Sequence, residues 1–321
     1  MTSLEPASAR MDDDSMAVTA ELIAVIVAVT RGQPRVLTID NGQALPSGPF
    51  EVSHRSLQAG LRSWVETQTH HPLGYVEQLY TFADKDRKQG APGRVVSVSY
   101  LGLTREAPAA QGWGAEWQPW YRYFPWEDVR AHGPGLAERV LAGPLQAWAE
   151  DADDPAVTRD RLRRVMISFG LRGQRWNEEL VLQRYELLWE AGLVAEGRFG
   201  APPPDSLAAA LGEPMRHDYR RILATGIARL RAKIKYRPVV FELMPAAFTL
   251  LQLQRSVEAL GGRLLHKQNF RRLIDQQDLV EETGDVTAET GGRPAKLFRF
   301  RREVLAERQV AGTKLPLVRA V

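Results

Sequence analysis

Residues 267–277 bring together groups that can bind a charged, hydrogen-bonding surface. At helical spacing, Phe270, Leu273 and Ile274 are expected to make one narrow buried stripe, and Lys267, Gln268, Arg271 and Arg272 fall on the outer side. From a helix, arginine, lysine and glutamine can reach base edges in a major groove or phosphate oxygens. Beyond them, Gly291-Gly292 precedes Arg293 at the expected tip of a ribbon whose second strand carries Lys296 and Arg299. Ribbon tips of this kind meet phosphate or the minor groove. The competing reading of these cations is a solvated face.

Charge is distributed to match. Residues 216–321 hold 21 lysines and arginines against 11 acidic residues, whereas the rest of the chain holds 21 against 28. A basic C-terminal third on an acidic remainder predicts a polyanionic partner, most simply nucleic acid. Other chemistry is poorly supplied. There is no cysteine, which excludes disulfides, thiol catalysis and thiolate metal sites. The six histidines (His54, His70, His71, His132, His217 and His266) show no metal-ligand spacing among themselves or with carboxylates. Four of the eight tryptophans (Trp113, Trp117, Trp120 and Trp126) crowd into 111–126, read as packing rather than a ligand wall.

A chain of 321 residues exceeds one ordinary core and predicts two or three domains. The longest strongly apolar stretch, 22–30, is nine residues, about half a membrane span, and reads as a buried strand. The start of the chain lacks a basic-then-apolar leader, so a cytoplasmic protein is expected. A polar tail is expected over 1–16. Strands over 17–29 and 35–39 flank a Gly32-Gln33-Pro34 turn, a helix spans 56–68, and further strands span 75–82 and 95–104. Helical signals cover 136–148, 160–169 and 176–191, then Pro202-Pro203-Pro204 marks a boundary. The last part reads as a long basic helix (217–236), a strand (239–243), two helices (250–260 and 267–277) and two strands (279–282 and 296–301). That order is the layout of a winged helix-turn-helix.

The segment Leu45-Pro46-Ser47-Gly48, Ser56-Leu57 and Leu61-Arg62-Ser63-Trp64-Val65-Glu66-Thr67-Gln68-Thr69 resembles the signature of the Nudix hydrolases. The resemblance implies a magnesium-assisted pyrophosphate hydrolase site whose helix should carry glutamates at 63, 66 and 67. Only Glu66 is present. His54, Ser63, Thr67 and Thr69 replace the other signature residues, so loss of hydrolysis is expected. Residues 79–87 and 94–101 look like the matching strand pair of ADP-ribose pyrophosphatases. A pocket kept without its catalytic groups implies a sensor. In it, Tyr80 or Phe82 would stack on a base, and Arg87 and Arg94 would meet pyrophosphate oxygens. A divergent hydrolase using Glu66 with Glu51 or Glu77 is the alternative, and a winged helix serving only protein contacts is a third.

The blocks 241–254, 267–274 and 292–300 are similar to the winged-helix domain of NrtR-type regulators, which join a Nudix-like sensor to a DNA-binding unit and control NAD metabolism. The long middle over 111–210 departs from that pattern and looks like the NadQ-type regulators. The resemblance implies an α+β chain: a Nudix-like α/β/α sandwich (17–130), a helical insert (131–212) and a winged helix-turn-helix (213–321). It implies a homodimeric repressor on a palindromic duplex operator. Its effector would be NAD, ADP-ribose or ATP, with no catalytic cofactor or metal. The insert would serve dimer contacts or transmission.

Overall fold

The computed structural model describes residues 18–83, 94–107, 114–130, 135–197, 205–288, 294–301 and 303. The polar tail over 1–16, Arg87, Trp113 and Arg293 lie outside them.

The apolar run becomes the central strand β1 (Val18–Thr30), covered on both faces as such runs require. Alternate residues part cleanly: Leu22, Ala24, Ile26 and Ala28 belong to one core, while Ile23, Val25 and Val27 belong to the other. A turn at Arg31-Gly32 leads into the antiparallel β2 (Gln33–Thr38), and the short β3 (Ser47–Pro49) pairs with the first half of β1. Helix α1 (Leu57–Thr69) starts at Ser56, whose hydroxyl accepts the Ala59 N–H at 3.1 Å. It lays Leu61 and Val65 against the first face, about 1.5–3 kcal/mol for each side chain buried. β4 (Tyr75–Phe82) and β5 (Arg94–Leu103) form an antiparallel pair. β5 runs parallel to β1, and β6 (Glu116–Pro119) closes the far edge beside β2.

The insert begins with a π-wound turn (Ala137–Leu141) that continues as α2 (Ala142–Glu150). α3 (Pro155–Phe169), capped by Asp154, α4 (Val181–Glu190) and the short α5 (Asp205–Leu211) follow. α3 and α4 are clamped by the bidentate Arg164–Glu190 pair at 2.9 and 2.6 Å. Trp120 and Trp126 are fully buried and Trp117 nearly so, which is the packing role expected of the tryptophan-rich segment.

The basic helix is α6 (Tyr219–Lys233), and it covers the second face of the sheet. Its Ile222, Leu223, Ile227 and Leu230 share a core with Ile23, Val25 and Val27, completing the α/β/α sandwich. Its charge suggested membership of the C-terminal unit, but its buried stripe assigns it to the sheet. The expected strand over 239–243 is also different. Val239–Leu243 is a 3-10 helix, with Phe241 N–H on Pro238 O at 3.2 Å and Met244 N–H on Phe241 O at 3.1 Å. The winged helix then consists of α7 (Leu250–Gly261), α8 (Lys267–Gln277) and the ribbon β7 (Val280–Thr287) with β8 (Ala295–Phe300). A bridge between Phe248 and Phe298 supplies the ribbon's third edge. α7 opens with a capping box in which Thr249 and Gln252 satisfy each other's backbone N–H groups.

At the junction of these parts, the fully buried Glu127 lies between Arg184 of α4 and Arg231 of α6. Arg184 donates to both carboxylate oxygens at 2.5 and 2.9 Å, and Arg231 donates to one at 2.5 Å. Arg184 also reaches the Ser168 and Asn177 carbonyls, and its guanidinium stacks over Trp176. Arg231 donates through Nε to Leu260 O at the end of α7. Gly262 caps α7 at φ +69, packed so tightly that a Cβ would collide with the Glu127 carbonyl oxygen. Burial pushes the Glu127 carboxyl up, but the two guanidiniums overcome it and hold it below its usual value.

Glu127→Ala leaves two buried guanidiniums uncompensated and should cost about 3–5 kcal/mol in urea unfolding. A carboxyl depressed in the folded state stabilises above its unfolded pKa and loses that contribution as pH falls through the folded one. The stability difference between wild type and Glu127→Gln should therefore stay constant above pH 4.5 and shrink below it.

Candidate functional site

α8 is held by little of its surface: Phe270 is its single buried residue and Ile274 packs beside it, whereas Leu273, expected in the same buried stripe, is 49% exposed because it lies at the edge of the contact with the core. Lys267, Gln268, Arg271 and Arg272 are all exposed on the outer side, as the periodicity predicts. Arg272 donates to the Asn269 side chain at 3.1 Å, one turn back on the same face. On the ribbon, Lys296 lies 2.9 Å from both oxygens of Glu282, and Arg299 lies 2.5 Å from Glu281. These cross-strand pairs are well exposed, so exchanging a carboxylate for another anion costs about 0–1 kcal/mol. Phe300 stacks on Phe241 at 4.2 Å, which anchors the ribbon to the core.

In the sheet domain, the segment resembling the hydrolase signature is built into the scaffold. Gly48 admits the Trp64 ring, which would overlap any Cβ at that position, and Trp64 Nε1 donates to Pro49 O at 2.9 Å. Gln68 fixes the end of α1 to β3, accepting Ser47 N–H at 3.0 Å and donating to Ser47 O at 2.8 Å. Arg62 and Glu66 are spaced for a helix ion pair, but the Arg62 guanidinium turns to the carbonyls of Leu73 and Gly74. The face that would hold magnesium presents Ser63, Glu66 and Thr67, one carboxylate among two hydroxyls. Among the described residues, no group of three His, Asp or Glu side chains is placed to hold a metal ion. Glu51 is exposed, accepting the Ser53 hydroxyl at 3.3 Å. Glu77 lies across the sheet from α1, bound by Lys233 of α6 and by the Tyr75 hydroxyl at 2.6 Å. The described residues do not fit a magnesium site.

The four residues expected to contact a nucleotide fare differently. Tyr80 is 57% exposed on β4 and Phe82 only 6%, their rings 4.9 Å apart. Phe82 is a core residue, which corrects its expected role as a stacking platform, while Tyr80 has a face available. Arg94 is exposed at the same end of the sheet, donating to Ala83 O at 3.2 Å. Arg221 of α6 places its guanidinium 5.1 Å from the Phe82 ring centroid, tied to Glu186 at 2.6 Å and Asp218 at 3.1 Å. Nothing in the sequence around Arg221 points to this end of the sheet, because only the docking of α6 brings it there.

A mixed sheet between α1 and α6, followed by two helices and a ribbon, defines a Nudix-like domain joined to a winged helix. The family model described as the NrtR DNA-binding winged helix domain matches residues 240–300. Over 95 residues the chain is 39% identical to the ADPR responsive transcriptional repressor NtrR of Acinetobacter baylyi. That match covers 30% of this chain, which thereby spans 38% of the repressor's length. Two solved structures share the fold. Shewanella oneidensis NrtR complexed with a 27mer DNA aligns with a TM-score of 0.50 at 20% identity, over 89% of this chain and 95% of that one. A MutT/nudix family protein from Enterococcus faecalis aligns with a TM-score of 0.52 at 16% identity, over 94% of this chain and 90% of that one. Among the described residues, no helix is long and apolar enough to cross a membrane.

Two substitutions two residues apart should separate packing from surface. Phe82→Ala should destabilise the fold by about 3–5 kcal/mol in denaturant titration, whereas Tyr80→Ala should stay within about 0.5 kcal/mol of wild type.

Proposed function

We propose that this chain is a transcriptional repressor whose winged helix reads duplex DNA and whose Nudix-like domain senses ADP-ribose without hydrolysing it. The observation that carries this reading is α8, within the matched winged helix, presenting Lys267, Gln268, Arg271 and Arg272 to solvent on one face. ADP-ribose is preferred to NAD or ATP as effector because the Acinetobacter baylyi relative is ADPR responsive. Tyr80 and Arg94 are the described residues proposed to meet it, together with Arg87, which falls between them in sequence. A single carboxylate on α1 supports binding without turnover.

In this proposal residues 17–130 sense, 131–212 transmit or dimerise, and 213–321 bind DNA, with α6 shared between the first and last. The assembly is a homodimer. Reading a palindrome then needs two α8 helices spaced for half-sites one turn apart, about 34 Å. ADP-ribose releases DNA only if it prefers a different spacing of the two. Lys296 and Arg293 meet phosphate from the ribbon. The genes controlled are those of NAD metabolism, as the resemblance to NrtR-type regulators implies.

Selection of sites from a random duplex pool with the purified protein tests this directly. A palindromic motif whose binding weakens with ADP-ribose, and not with NAD or ATP, is expected. Recovery of no motif, with only salt-sensitive general binding, would exclude a sequence-specific regulator. On the selected site, Arg271→Ala should cost about 1–3 kcal/mol and relax preference at one position.

A further inference from the structure

Beneath α8 lies a cavity of about 350 Å³, bounded by the end of α6, the 3-10 turn, α7 and α8. It is unrelated to the sheet-end residues discussed above. Much of its wall is apolar: Leu253 and Val257 of α7, Leu265, Phe270 and Ile274 of α8 and its approach, and Leu279. Pockets of about 300–1,000 Å³ with apolar walls and few polar groups are the usual form of small-molecule sites. At its mouth Leu273 is 49% exposed, an apolar side chain half out of a core that it could help to fill.

The charged groups facing the cavity are four cations and one carboxylate: Arg231, Lys235, Arg237, Arg263 and Glu178. Three cations are committed. Arg231 is bound to Glu127, Lys235 to Glu178 at 2.9 Å and Glu179 at 2.6 Å, and Arg263 to Glu178 at 3.5 Å. Arg237 is exposed, and among the described residues no carboxylate lies within ion-pair distance of it. A walled apolar space with one unspent guanidinium at its edge fits a molecule with a compact apolar body and a single anionic group.

We infer that this cavity is a second ligand site, taking a small aromatic or alicyclic carboxylate whose rings lie under Phe270 and Ile274 and whose carboxylate pairs with Arg237. Its occupant adds contacts to the inner face of α8, which Phe270 alone otherwise buries. The site therefore acts on the order of α8 itself. Its existence does not depend on whether α8 binds DNA.

The test is calorimetric titration of the full chain with 2-naphthoate, followed by amide hydrogen exchange. Saturable one-site binding is expected, weakened about tenfold by Arg237→Gln, the scale of one charge-assisted hydrogen bond. The neutral 2-naphthamide should bind wild type about as weakly as the acid binds Arg237→Gln. Leu273→Trp should fill the mouth and abolish binding. Both positions are exposed, so the variants should keep the wild-type melting temperature. In the wild type, bound 2-naphthoate should slow exchange across α8. Absence of saturable binding, binding indifferent to both substitutions, or binding that leaves α8 exchange unchanged would each overturn the site. None of these readouts involves DNA or ADP-ribose, so failure here is separate from failure of the repressor reading.

Discussion

A carboxylate held between two guanidiniums in a dry interior organises this molecule. Glu127 directly follows the tryptophan-rich segment, Arg184 lies in the insert and Arg231 in the helix behind the sheet, and all three are fully buried. Each charge removed from water carries a penalty of several kcal/mol that only a well-made set of partners offsets. Here the partners come from the insert and from the winged helix: the Ser168 and Asn177 carbonyls, Glu178 O ahead of α4, and Leu260 O at the end of α7. A third buried arginine, Arg220, extends the arrangement, donating to Tyr123 O and lying over the rings of Phe124, Trp126 and Tyr185. Directional bonds of this kind fix relative placement in a way that leucines alone do not.

Elements with a strong local period were legible in the sequence. β1 reads from its apolar run, α1 from Leu57, Leu61 and Val65, and α8 from Phe270 and Ile274 against a cationic face. What failed depended on contacts distant in sequence. Val239 to Leu243 has the composition of a strand, but among the described residues no strand pairs with it, and after Pro238 it closes as a 3-10 turn. α6 has the charge of a DNA-binding unit, yet its apolar stripe belongs to the sheet. Glu127, Arg184 and Arg231 look like surface charges because their partners lie 57 and 104 positions away.

The hydrolase-like signature shows a related lesson about the site. Its scaffold residues hold the fold: Gly48 admits Trp64, Arg62 ties α1 to the start of β4, and Gln68 ties it to β3. Of the three positions where that signature places carboxylates, Glu66 alone has one, and Ser63 and Thr67 carry hydroxyls. The resemblance of this strand pair to that of ADP-ribose pyrophosphatases offers Tyr80 and Phe82 alike as stacking rings, but the bulge in β4 between Gln78 and Tyr80 resets which side chains face inward. Leu79 and Phe82 then both enter the core, leaving Tyr80 outside.

Because α6 completes the sandwich and also bonds to the end of α7, the two units do not part at a linker. Cutting before α6 strips the sheet of one cover and leaves Ile222, Leu223 and Ile227 without the strands they pack on. Cutting after it takes away the guanidinium that holds Leu260 O. The chain is thus a poor candidate for module exchange: a recombinant fusion transplanting the winged helix onto another sensor would have to carry α6 and re-create a matching sheet face.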